Sequence, residues 1–138
     1  MTGILVRVGT VYIPVTNVAL SAKWYADSLG AVCKYQDGEK AILDFANQSF
    51  FLVRSEKGQL ANFADASGVE RFSLTFEVDG LAALRDVHNH LRRQGVRIGD
   101  IENRGHAGRN FVFTDPDGNK FDVWSELSPD FKAVQPTM

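Results

Sequence analysis

The chain has 138 residues, 44% hydrophobic and 23% charged, with a formal net charge of −2. That length suits one domain with a real core and that composition a globular protein, while the scattered Lys and Arg exclude the concentrated basic footprint that nucleic acid requires. No apolar run approaches the ~20 residues needed to span a bilayer, and the single cysteine, Cys33, excludes an internal disulfide and a cysteine zinc cluster. The N-terminal residues carry neither the basic start nor the long apolar core of a signal peptide, so the reading expects a cytoplasmic protein with no membrane partner.

Gly9 to Val15 alternates as a strand, with Val11, Ile13 and Val15 on one face and Thr10, Tyr12 and Pro14 on the other. Pro14 lacks a donor and places this strand at an edge. Thr16-Asn17 signals a helix N-cap. Val18, Ala22, Tyr25 and Leu29 then recur at helical spacing, and Gly30 stops the helix. Short strands are expected over Ala31 to Tyr35, Lys40 to Phe45 and Ser49 to Arg54, with Asp37-Gly38 as a turn. Residues 55–70 are small and polar, and read either as a connection between halves or as a lid. Arg71 to Val78 reads as a strand with Ser73, Thr75 and Glu77 on one face. Asp79 is the expected cap of a helix carrying Leu81, Leu84, Val87 and Leu91, and Gly95 ends it. Val96 to Ile101 is the next strand, followed by a loop with Arg104, His106 and Arg109. A hairpin then surrounds Asp115-Pro116-Asp117-Gly118-Asn119, where Pro116 presets one turn position. On its second arm Phe121 and Val123 face the core. Lys120, Asp122 and Trp124 share the other face, which reads as one wall of a cleft because a bare indole on water is unusual. Residues 127–138 form a tail that Phe131 pins to the body or to a partner chain.

The two halves repeat. Val11 to Val18 lies over Leu74 to Leu81 at a constant offset, 74 − 11 = 63, and glycine ends both helices. The expected fold is α+β: two βαβββ modules, about residues 8–56 and 70–126 of a single domain, pairing curved mixed sheets around a central cleft with the helices on the outer faces. The cleft-facing positions are then Thr10, Tyr12, Phe51, Ser73, Thr75, Glu77, Lys120, Asp122 and Trp124.

Three stretches carry a family resemblance: Tyr12-Ile13-Pro14-Val15-Thr16-Asn17, Trp24-Tyr25-Ala26-Asp27-Ser28-Leu29-Gly30, and Phe113-Thr114-Asp115-Pro116-Asp117-Gly118-Asn119. Together they resemble the vicinal oxygen chelate superfamily, which includes glyoxalase I, extradiol dioxygenases, fosfomycin-resistance enzymes and bleomycin-resistance proteins. The resemblance runs from about Gly9 to Glu126 and implies paired βαβββ modules, often in a homodimer. Metal-using members place one ligand on the first and last strand of each module. Here those positions are Thr10, Phe51, Ser73 and Asp122. Two hydroxyls and a phenyl ring are poor ligands, and one carboxylate does not make a tight site. The expectation is therefore no metal and no cofactor.

What the resemblance then implies is a binder like the bleomycin-resistance branch, which holds its drug without a catalytic metal. Tyr12, Phe51 and Trp124 would give flat walls for an aromatic or amphiphilic small molecule. Thr10, Ser73, Thr75 and Asp122 would orient it by hydrogen bonds. Arg104 and Arg109 read either as a grip on a ligand's carboxylate or phosphate, which makes Arg109 a candidate binding residue, or as surface charges. The alternatives are a metal-dependent lyase or dioxygenase with atypical ligands, and a metal-free isomerase using His106 or Glu77 as acid or base. A homodimer is the expected assembly.

Overall fold

The computed structural model describes residues 3–134; residues 1–2 of the N-terminal reading and 135–138 of the expected tail lie outside them. The chain forms two compact units. The first runs to Ala61 and includes Pro116–Asn119. The second holds Asn62–Asp115 and continues from Lys120.

The first unit is a βαβββ module. Strand β1 (Thr10–Val15) leads to helix α1 (Val18–Leu29), then β2 (Val32–Gln36), β3 (Lys40–Phe45) and β4 (Gln48–Arg54). The sheet order is β1-β4-β3-β2, with β1 parallel to β4 and hairpin pairing elsewhere. Asn17 starts α1 by accepting a hydrogen bond from Leu20 N–H at 3.0 Å, and Gly30 ends it in the left-handed region at φ 72°. Val18, Ala22 and Tyr25 of the helix are buried, as are Ile13, Val15, Leu43, Phe50 and Leu52 of the sheet. This burial of one helix stripe and one sheet face is what drives the module to fold.

The second unit repeats the plan with β7 (Thr75–Glu77), α2 (Leu81–Arg93), β8 (Arg97–Ile98), β9 (Asn110–Thr114) and β10 (Lys120–Trp124). Its sheet order is β7-β10-β9-β8. The repeat extends to register: Tyr12 pairs with Phe51 in the first module and Thr75 with Asp122 in the second. Leu84 and Leu91, seven residues apart on α2, are fully buried, as are Phe111, Phe113, Phe121 and Val123 on one sheet face. A short helix α3 (Pro129–Val134) lies within the expected tail.

Three expectations are corrected. Asp79 does not cap α2; Gly80 is the N-cap, with φ 105° and no side-chain cap bond. The chain turns there through a left-handed conformation that glycine adopts without a Cβ penalty. The expected strand from Arg71 to Val78 is broken: Glu70–Phe72 is β6, Ser73 sits in a bend, and β7 starts at Thr75. The connection itself holds structure, because β5 (Asn62–Ala64) pairs antiparallel with β6.

Asp65 organises that small hairpin. Its Oδ1 accepts from the N–H groups of Ser67 (2.9 Å) and Val69 (3.0 Å), and its Oδ2 from Arg71 Nε (2.9 Å). The Val69 N–H, then Arg71, then the Ser67 N–H hold the carboxyl below its ordinary value. A depressed folded value gives a contribution that is full above the ordinary aspartate value of about 3.9 and fades as pH falls through the folded one. Amide exchange corrected for intrinsic rates should show the Val69 N–H losing protection below about pH 4, and Asp65→Asn should flatten that profile. Superimposable profiles for the native chain and Asp65→Asn would refute this account of the turn.

Candidate functional site

β10 is the inner strand on which the second unit's polar face is built. It pairs parallel with β7 and antiparallel with β9, so Asp122 lies opposite Thr75 on one side and Val112 on the other. Trp124 lies opposite Glu77 and Asn110. Alternation sends Phe121 and Val123 into the core and leaves Asp122 and Trp124 on the helix-free face. A groove of about 480 Å³ opens there, lined by Thr75, Glu77, His106, Ala107, Asn110, Asp122 and Trp124. That volume lies within the range of roughly 300–1,000 Å³ typical of small-molecule sites.

Asp122 is only 7% exposed and Asn110 4%. The Asn110 side-chain amide donates to Asp122 Oδ2 at 2.9 Å. Arg104 Nη1 stands 3.0 Å from Asp122 Oδ1, and Arg104 Nη2 donates to Glu102 Oε1 at 3.1 Å. Distance and alignment disagree at Oδ1. The Arg104 contact is short enough to pair the charges, yet Asp122 Oδ1 and Asn110 Oδ1 both lack a hydrogen-bonded donor. We take the charge as paired, because Coulomb attraction depends on distance, and the acceptors as unsatisfied, because hydrogen bonding also needs direction.

The loop before β9 closes one side of the groove. Trp124 Nε1 donates to the Ala107 carbonyl at 2.9 Å. His106 Nδ1 lies 2.8 Å from the same carbonyl, which can only accept, so Nδ1 carries the hydrogen. The His106 ring meets the indole edge-on, with centroids 6.0 Å apart. Arg109 N–H donates to Ser125 Oγ, and Ser125 N–H to the Arg109 carbonyl, which ties the loop to the end of β10.

The expected site residues divide between the units. Thr75, Asp122, Trp124, Glu77 and His106 come together in the groove. Both Glu77 oxygens receive hydrogen bonds from Ser128, from its N–H and its hydroxyl at 2.8 Å each, so this carboxylate anchors the start of α3. Arg109 turns its guanidinium to the Gly108 carbonyl and does not line the groove. Ser73 is exposed in its bend. Thr10, Tyr12 and Phe51 belong to the first unit, where Tyr12 is 64% exposed and its ring lies 5.2 Å from that of Phe51. Lys120 is engaged by Glu70 at 3.1 Å. Asn110 was not among the expected residues. Its signal was the hairpin register: with Thr114 opposite Lys120, Asn110 must face Trp124.

Among the described residues, no three His, Cys, Asp or Glu side chains are grouped so as to hold a metal ion. No helix there is long and apolar enough to cross a membrane.

The family model described as Glyoxalase/Bleomycin resistance protein/Dioxygenase superfamily matches residues 7–123. No curated protein matches the sequence. Among solved structures, the fosfomycin resistance protein FosX from Listeria monocytogenes is similar at 12% identity and a TM-score of 0.73, over 92% of this chain and 98% of that one. Lactoylglutathione lyase from Agrobacterium tumefaciens is 12% identical with a TM-score of 0.66, over 86% and 92% of the two chains. The antibiotic binding protein TnmS3 from Streptomyces sp. CB03234 is 19% identical with a TM-score of 0.65, over 90% and 98%. At these identities the likeness is one of fold.

Proposed function

The chain belongs to the Glyoxalase/Bleomycin resistance protein/Dioxygenase superfamily, and within it we propose that it binds a small aromatic or amphiphilic organic molecule in the Asp122 groove without a catalytic metal. The observation that carries this reading is the state of Asp122. It is the one carboxylate among the four positions where the family resemblance implies metal ligands, and a guanidinium already stands 3.0 Å from its oxygen. A divalent ion at Asp122 would have to displace that cation, and the other three positions, Ser73, Thr10 and Phe51, supply two hydroxyls and a phenyl ring, none of which is a strong ligand. The donor set does not fit such an ion. What the groove does offer is an indole wall, a threonine hydroxyl and buried acceptors, a combination suited to an organic ligand. That one structural neighbour is an antibiotic binding protein supports the view that this fold can be used for binding alone. The homodimer implied by the family resemblance belongs to the same proposal.

Thermal-shift and calorimetric titration with aromatic probes test it. We expect saturable binding that is unchanged by chelator, no gain in melting temperature with Zn, Ni, Mn or Fe, and a loss of at least about tenfold in affinity in Trp124→Ala. Binding that requires a divalent ion would overturn the proposal.

A further inference from the structure

Arg104 is held at the groove on unequal terms. On one side it meets Asp122, whose side chain is 10% exposed; on the other it meets Glu102, whose side chain is 53% exposed. An exposed pair of that kind contributes little, so release from Glu102 costs little, and the Asp122 pair is the one a displacing cation has to replace. The buried side is incomplete, because Arg104 pairs the Asp122 charge but leaves Asp122 Oδ1 and Asn110 Oδ1 without an aligned donor. Both oxygens are closed to solvent, and Arg104 lies against one of them. Counting Glu77, Glu102 and Asp122 against Arg104, the groove and its rim favour a cation.

Resting on the reading of this groove as an organic-ligand site, we infer that Arg104 is a displaceable stand-in for a ligand's amino group. A primary alkylammonium joined to a flat aromatic ring takes the guanidinium's place at Asp122. Its three N–H donors, spread tetrahedrally, can serve both Asp122 Oδ1 and Asn110 Oδ1, which the planar fork of arginine does not. The ring lies against Trp124, where the adjacent cation also gains from the indole face. An alcohol of the same shape cannot restore the ion pair that displacement breaks, and a carboxylate meets like charge. Arg104 thus competes with the ligand and lowers its apparent affinity.

The test is calorimetric titration of naphthylmethylamine, naphthylmethanol and naphthoate, at neutral pH, into the native chain, Arg104→Met, Arg104→Ala and Asp122→Asn. Near-ultraviolet circular dichroism checks folding, and Arg104→Met keeps the aliphatic stem. We expect the amine to bind at least about tenfold more tightly than the alcohol, Arg104→Met to tighten amine binding a further tenfold or so, and Asp122→Asn to erase the amine's advantage. Weaker amine binding in both folded Arg104 variants would make Arg104 a ligand contact and overturn the inference. So would tighter binding of naphthoate, or equal binding of amine and alcohol, and either result would leave the groove standing as an organic-ligand site. Failure of all three probes on every variant would remove that reading as well.

Discussion

Asn119→Ala is expected to lower the stability of the chain by about 3 kcal/mol, a loss of roughly 10 °C in melting temperature for a protein of this size. Asn119 is fully buried and ends the Asp115–Asn119 turn. Its Oδ1 accepts from Ala61 N–H at 2.8 Å, and its Nδ2 donates to the Pro14 carbonyl at 2.9 Å. One side chain therefore satisfies a donor and an acceptor from two distant segments of the first unit. Removing it leaves two backbone groups without a partner in a place that water does not fill readily, and each such loss costs about 1–3 kcal/mol. Asn119→Asp discriminates between causes. It keeps an acceptor for Ala61 but loses the donor and sets a carboxylate against the Pro14 carbonyl, so it should be at least as harmful as alanine. Asp117 makes the contrasting case. It is half-buried and accepts from Thr16 N–H at 3.1 Å and the Thr16 hydroxyl at 2.6 Å ahead of α1, with the Ser21 hydroxyl 3.5 Å from its other oxygen. Asp117→Ala should cost only about 1 kcal/mol, the usual net value of a side-chain hydrogen bond that water can replace. Chemical denaturation of the three variants measures all of this. A cost below about 0.5 kcal/mol for Asn119→Ala would mean the turn is held by something other than its asparagine.

Much of this architecture was legible because it follows from two periods. Alternation of Ile13 and Val15, and of Phe121 and Val123, identified the buried faces. The 63-residue offset carried Tyr12 onto Thr75 (75 − 12 = 63), and both turn out to pair with the last strand of their module. The groove residues Thr75, Asp122 and Trp124 came from that alternation. Arg104 reads from the sequence as a grip on a ligand anion or a surface charge, and its pairing with Asp122 is hidden there, since which carboxylate a flexible arginine reaches is a tertiary fact. The β5–β6 hairpin was missed because its three-residue strands are too short to show a period, and its turn is organised by the Asp65 carboxylate. Helix α3 did carry a signal, with Ser128 before Pro129 at the first helical position, but six residues offer no apolar stripe to support it. Asp79 misled because a good capping residue stands one place too early, and the left-handed turn at Gly80 passes it by.

The loop that closes the groove rests on one glycine, and Gly108→Ala is expected to weaken binding of an aromatic ligand by at least about tenfold. Gly108 has φ 77°, which costs an L residue about 1–2 kcal/mol by itself. A Cβ there would also lie 2.7 Å from Ser125 Oγ, 2.8 Å from Trp124 Nε1 and 2.9 Å from Glu126 Cγ. The first two of those atoms cannot move freely. Ser125 Oγ holds the Arg109 N–H, and Trp124 Nε1 holds the Ala107 carbonyl. The methyl group must therefore break one of these bonds or push the loop away, and either response shifts the indole that forms the groove's flat wall. Gly105→Ala is the control. Gly105 also has positive φ, 87°, but a Cβ there meets nothing within 4 Å. It should cost the conformational term alone, with ligand affinity within about threefold of native. If the two variants lose stability equally and neither loses affinity, the indole is not held in place by this loop. If Gly108→Ala alone loses affinity while remaining folded, then the close packing of backbone against Trp124, and not loop flexibility in general, sets the shape of the site.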